Sequence, residues 1–215
     1  MSYRYLSWFR QQERITLDAV LTEQKGYELL LLGKDDLSAV SSSPVKHKFA
    51  AIFDTKSRLA LCSEYESLPL ANESLDVIVI WHVLDTYQQP MLLLKELKRV
   101  LRPDGQLVLV GVNPNHANAE YVSQRQTGIK AKSKLNSLCM LKLAALEADL
   151  IVAEQQAFCG VAKFTSKLQP KIDAWACRYL SHLALGYCWV LKPESLITLT
   201  PELSRWRKRK LEVTT

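Results

Sequence analysis

The chain has 215 residues, of which 48% are hydrophobic and 23% charged. This balance excludes a disordered or fibrous protein and suits one α/β domain with a substantial core. The net charge of +6 is partly local, because Arg205, Arg207, Lys208, Arg209 and Lys210 crowd around Trp206. A single domain over residues 1–200 followed by a basic tail over 201–215 is the expected organisation. Clustered Lys and Arg release counterions from polyanions, so the tail points to nucleic acid or anionic lipid, with a solvated tail as the plain alternative.

The first twelve residues contain no apolar core of a secretory signal. The best apolar stretch, Leu75 to Leu84, is interrupted by Asp76 and His82 and is far shorter than the roughly 20 residues of a membrane helix, so no span is expected. Five cysteines without a CxxC pair suit a reducing, cytoplasmic setting and give no metal site.

In chain order, Ser7 to Lys25 mixes Trp8, Phe9, Ile15, Leu17, Val20 and Leu21 with charges at helical spacing, and Gly26 follows as a stop. Tyr27 to Leu32 is a short apolar run ending at Gly33, the pattern of a strand covered on both faces. Ser41 to Pro44 breaks any helix begun at Asp35 or Asp36, so the first crossover is expected to be truncated. Phe49 to Phe53 gives a second strand. After the turn Asp54 to Ser57, Leu59 to Cys62 gives a third, antiparallel to the second or displaced from it because no helix fits between them.

From Leu75 to Leu84 the β-branched run LDVIVIWHVL predicts a strand, and Pro90 to Leu101 places leucines at helical spacing against Lys95, Glu96, Lys98 and Arg99. Arg102-Pro103-Asp104-Gly105 ends that helix, and Gln106 to Val110 forms a buried strand closing on Gly111. Asn113 to Lys134 reads as a polar loop able to serve as a lid. Leu135 to Ala148 predicts a helix; Leu150 to Phe158 and Gly186 to Lys192 predict a terminal antiparallel pair joined through a helix near Ile172 to Leu183.

The run LPLANESLDVIVIWHVLDTYQQPMLLLKELKRVLRPDGQLVLVG, about a fifth of the chain, resembles small class I S-adenosylmethionine-dependent methyltransferases. It follows their order of an LPF-type turn, an FD-type strand start, a leucine-rich helix, an LRPGG-type turn and a closing strand. The resemblance implies a Rossmann-like, mostly parallel sheet with an antiparallel terminal strand, here with an abbreviated first half, and S-adenosylmethionine as cofactor for an undefined acceptor. The alternative is an inactive methyltransferase-like binding or regulatory module, since a fold alone guarantees no activity and the family's glycine-rich loop is reduced to Gly33.

In such sheets ligands bind beyond the carboxyl ends of the strands. Gly33 and Asp35 fall where the family's loop passes the cofactor, and Asp35 can partly replace a glycine because aspartate tolerates left-handed backbone. Asp54 matches the family's ribose-binding carboxylate, which offers two acceptor oxygens; a turn-stabilising aspartate is the equal alternative. Glu64 matches the acid that accepts from the adenine amino group, and Tyr65 beside it offers a ring edge.

His82, at the end of the LDVIVIW strand, lies where donor and acceptor meet in the family. It is a candidate both for cofactor lining and for the base that takes a proton from the acceptor. Asp76 matches an aspartate that anchors loops. Asn113 and His116 follow the QLVLVG strand at the edge of the expected acceptor pocket, an Asn-Pro turn being their plainer reading.

Overall fold

The computed structural model describes residues 3–33, 36–51, 67–127, 135–159, 177 and 184–194. Among the described residues six strands form one sheet in the order β2-β1-β3-β4-β6-β5: β1 is Glu28–Leu32, β2 His47–Ala51, β3 Leu75–Trp81, β4 Leu101–Val112, β5 Leu150–Phe158 and β6 Gly186–Pro193. β1 to β4 are parallel; β6 runs antiparallel to both β4 and β5. The mostly parallel sheet with an antiparallel end is thus the expected one.

Side chains alternate across the central strands and build one core on each face. Leu29 and Leu31 of β1, Val77 and Val79 of β3, and Val108 and Val110 of β4 enter one core. Leu30, Leu32, Ile78, Ile80, Leu107 and Leu109 enter the other. Continuous apolar runs belong to strands buried on both sides, and each such side chain removed from water contributes about 1.5 to 3 kcal/mol.

The first face is covered by α1 (Tyr3–Thr22), which packs on β5 and β6. Its buried stripe runs Phe9, Glu13, Leu17, Val20 and Leu21, at most 3% exposed. Turning the apolar positions of a helix to one side is what its 3.6-residue period permits; the Glu13 carboxylate is the exception inside that stripe. The second face is covered by α2 (Val83–Thr86), α3 (Pro90–Val100) and α5 (Leu138–Glu147), with α3 packed beside α5. α3 starts with Pro at its first position, where a missing N–H costs nothing, and buries Leu93, Leu94, Leu97 and Val100. Ser137 caps α5 by accepting from the Met140 N–H at 3.2 Å.

Several expected boundaries move. α1 ends at Thr22 rather than Lys25, and Gly26 is needed for a different reason: a Cβ there would lie 2.3 Å from the Asp76 Cβ. The link between β1 and β2 holds one 3-10 turn, Leu37–Val40, which confirms the truncated crossover. The second strand is His47–Ala51 within the described residues; the expected third strand, the helix expected near Ile172 to Leu183 (Cys177 aside) and the basic tail lie outside them.

Arg102 to Gly105 does not interrupt the chain as a separate turn. β4 begins at Leu101, and the excess is absorbed by a bulge in which Leu75 pairs with Leu101 and Val77 with Gln106. Gly105 fits there because a Cβ would meet the Asp76 carbonyl oxygen at 2.9 Å. The segment after β4 is not all loop either: it contains α4 (Ala119–Thr127), which buries Ala119 and Val122 on the first face.

Candidate functional site

The expected ligand site lies at the carboxyl ends of β1, β3 and β4. Gly33 leaves β1 with φ +92°, on the exposed side of the chain. A Cβ at this position would stand 2.3 Å from the Trp81 carbonyl oxygen and 2.5 Å from Val83 Cγ2. The turn after β1 therefore rests directly on the segment after β3, an approach that only glycine allows.

That segment is itself unusual. His82 has φ +56°, a left-handed conformation uncommon for a residue with a Cβ, and its N–H donates to the Val110 carbonyl of β4 at 2.9 Å. Its side chain is 3% exposed. Nδ1 donates to Asp85 Oδ2 at 2.7 Å and Nε2 to Glu13 Oε1 at 2.6 Å. Burial by itself would lower the pKa of the ring, but the charges of Glu13 and Asp85 outweigh it and push it up to about 10. The ring is an imidazolium donating from both nitrogens, with no lone pair to offer an acceptor.

Asp85 is in turn fixed by β4 and β6. Its carboxylate accepts from the Val112 N–H at 3.1 and 3.2 Å and from the Tyr187 hydroxyl at 3.3 Å. Burial, reinforced by the Asp85 charge, holds the Tyr187 phenol well above its usual range, so it stays a neutral donor. Gly111 makes room for the pair: a Cβ would lie 2.3 Å from both Asp85 Oδ1 and the Tyr187 hydroxyl oxygen. Asn136 clamps the same region from the chain before α5, donating from Nδ2 to the Leu84 and Tyr87 carbonyls at 2.8 and 2.6 Å while its N–H donates to the Asp85 carbonyl at 2.8 Å.

Of the residues expected at the site, Gly33 and His82 are brought together, through Trp81 and Val83. Asp35, Asp54, Glu64 and Tyr65 lie outside the described residues. Asn113 is buried and ties β4 to the chain ahead of β6, its N–H donating to Leu185 O and its Nδ2 to Ala184 O, each at 2.8 Å. Its Oδ1 accepts from the Asn115 N–H at 3.1 Å, the turn role in geometry. His116 Nδ1 accepts from the Asn118 N–H at 3.0 Å, and burial lowers its pKa, so it is neutral at pH 7.

Glu13, Asp85 and Tyr187 were not among the sequence candidates. Asp85 had a signal three residues from His82, a spacing that meets on one helical turn. Glu13 had one too, as the lone carboxylate between Phe9 and Leu17 on an apolar stripe. Nothing in the sequence pointed to Tyr187, which arrives from β6.

The motif residues at the other end of the strands are scaffold. Asp76 Oδ2 accepts from the Tyr27 and Glu28 N–H groups at 2.7 and 3.0 Å, and Oδ1 pairs with Arg102. Burial alone would raise its pKa, but these donors together lower it. Glu96 accepts from the Leu68 N–H at 2.6 Å and pairs with Arg99, whose guanidinium donates to the Leu68 and Leu70 carbonyls at 3.1 Å. The Leu68-Pro69-Leu70 turn is pinned to α3 in this way.

Residues 26–109, which run from the turn before β1 almost to the end of β4, match the family described as methyltransferase domain. The sheet order and its antiparallel end agree with that match. The fold is that of the class I methyltransferases. Among solved structures, a chain from the Haloferax volcanii complex containing the Trm112 methyltransferase activator superposes with a TM-score of 0.59 at 16% identity, over 88% of this chain and 93% of that one. A SAM-dependent methyltransferase from Archaeoglobus fulgidus gives 0.56 at 14% identity, over 89% and 100%. Geranyl diphosphate C-methyltransferase from Streptomyces coelicolor, solved with S-adenosyl-L-homocysteine, gives 0.54 at 13% identity, over 85% and 78%. No curated protein matches the sequence. Among the described residues no group of His, Cys, Asp and Glu could hold a metal ion, and no helix is long and apolar enough to cross a membrane.

Proposed function

We propose that this chain is an S-adenosylmethionine-dependent methyltransferase. The observation that supports the reading most is the Gly33 turn: a bare backbone at the carboxyl end of β1, packed without a side chain against the end of β3, inside the segment that matches the methyltransferase domain. Ligands of such sheets bind beyond the carboxyl ends of the strands, which is where Gly33 leaves β1, and this position supports the cofactor reading.

In this reading the Gly33 turn and Asp35 border the cofactor, Asp54 accepts from its ribose hydroxyls, and Glu64 with Tyr65 receives its adenine. When bound, S-adenosylmethionine supplies a methyl group activated on a cationic sulfonium. The protein's task is then to hold donor and acceptor in line. His82 serves as a positioning residue: with both nitrogens donating to carboxylates, it fixes the chain after β3 and takes no proton from the acceptor. An acceptor that must lose a proton would need another base.

Calorimetric titration of the purified chain with S-adenosylmethionine and S-adenosylhomocysteine tests the proposal. Saturable heat with a dissociation constant in the micromolar range, roughly −8 kcal/mol, is expected for both. Absence of heat at millimolar ligand would leave the fold in place but favour the inactive binding or regulatory module.

A further inference from the structure

Glu13 lies on α1, outside the segment matched by the methyltransferase domain, yet it holds one of the two hydrogen bonds of the His82 ring. His82 occupies a left-handed turn. The residues flanking that turn, Trp81 through its carbonyl and Val83 through its methyl, are the surface on which Gly33 rests. Gly33 N–H donates to Ala51 O at 3.3 Å, which carries the contact on to the end of β2. A chain of direct contacts thus runs from α1 to the turn after β1.

We propose that Glu13 is a positioning residue of the ligand site: acting through His82, it sets the height of the Trp81–Val83 segment beneath the Gly33 turn, so that α1 is a working part of the site. The inference rests on the proposed function for the identity of the ligand, not for the mechanical link.

Three features support it. A left-handed residue bearing a Cβ persists only where its surroundings over-determine it. Here the bond of His82 to Asp85 ties the turn to β4 and β6, which hold that carboxylate through Val112 and Tyr187. The bond to Glu13 spans 69 positions and ties the same turn to α1. Lastly, Glu13 is held on its own side by Phe9 and Leu17, both fully buried, with the Phe9 ring tilted against Phe158 of β5 at 5.4 Å between centroids. The carboxylate is delivered by a rigid helix, and sites built on rigid elements hold their geometry best.

The test compares Glu13→Gln with Leu141→Ala, a substitution in α5 in the core of the opposite face, on the full chain. Three readouts are used: S-adenosylhomocysteine affinity by calorimetry, amide hydrogen exchange at Gly33, and the imidazole NMR signals of His82. Glu13→Gln keeps the shape of the side chain but removes its charge. It is expected to shift the His82 signals, speed exchange at Gly33 and weaken the ligand about threefold to thirtyfold. Leu141→Ala should lower the melting temperature while leaving affinity and His82 signals as they were, which separates positioning from general loosening.

If the parent chain binds and Glu13→Gln binds equally well, the inference is overturned while the proposed function stands. If the parent chain binds nothing, the proposed function fails, and exchange at Gly33 still decides: faster exchange in Glu13→Gln alone upholds the link, and unchanged exchange overturns it.

Discussion

At the carboxyl end of β3 an imidazolium is enclosed by two carboxylates whose side chains are each 1% exposed; at the amino end of the same strand Asp76 meets an Arg102 side chain that is 40% exposed. Both are ion pairs, but the solvent around them differs. Enclosed charges cannot fall back on water when a partner is lost, so breaking such a group is costly. Near the surface, water and salt replace most of what is removed. The amino end thereby tolerates change, while the carboxyl end is a constraint on the segment that borders the proposed ligand site.

The largest effect is expected from Asp85→Ala. It removes one partner of His82, the acceptor for the Val112 N–H and the acceptor for the Tyr187 hydroxyl at once. A loss of about 3 to 5 kcal/mol is expected, the range for removing one partner of a buried pair, read as a lowered urea midpoint at pH 7. A loss under about 1 kcal/mol, the surface-pair range, would show that the two ends are energetically alike.

Next comes the dependence on pH, which has opposite signs at the two ends. His82 is raised from its ordinary 6.5 to about 10. Its contribution is therefore complete below pH 6.5 and disappears as the pH climbs through 10. The groups facing it are Glu13 from α1 and Asp85 from α2, with the Tyr187 hydroxyl of β6 behind Asp85. Asp76 is lowered from 3.8, so its contribution is present above that value and disappears as the pH falls through the folded one. Urea denaturation between pH 7 and 10.5 should show the parent chain losing more stability than His82→Gln. Parallel curves would refute the enclosed imidazolium.

The smallest effect is expected from Asp76→Asn. The amide oxygen still accepts from one backbone N–H, and the exposed Arg102 recovers its hydration. About 1 kcal/mol is expected, diminishing at 1 M salt because the pair is open to screening. A loss as large as that of Asp85→Ala would erase the distinction between the two ends.

The elements easiest to read were those with a clear local pattern. β3 is a β-branched apolar run and α3 sets leucines at helical spacing behind Pro90, and both appear within a few residues of their expected limits. Arg102 to Gly105 misled because proline and glycine mark a turn locally, whereas the bulge that absorbs them exists only against β3. α4 was read as loop because its few apolar positions, Ala119 and Val122, gain meaning only against the first core. At the site, Gly33 was legible as a glycine after a strand. The reason it must be glycine, the Trp81 carbonyl 2.3 Å from its missing Cβ, was not.

The sequence by itself determined a parallel sheet covered on both faces, an antiparallel end, and the motif order of a methyltransferase domain, because periodicity and turn chemistry act between neighbours in the chain. Only the tertiary structure decided the state of His82. Its partner Glu13 is 69 positions away and Tyr187 is 102 positions from Asp85; a charge so enclosed takes its protonation from what surrounds it in space, which no local pattern encodes.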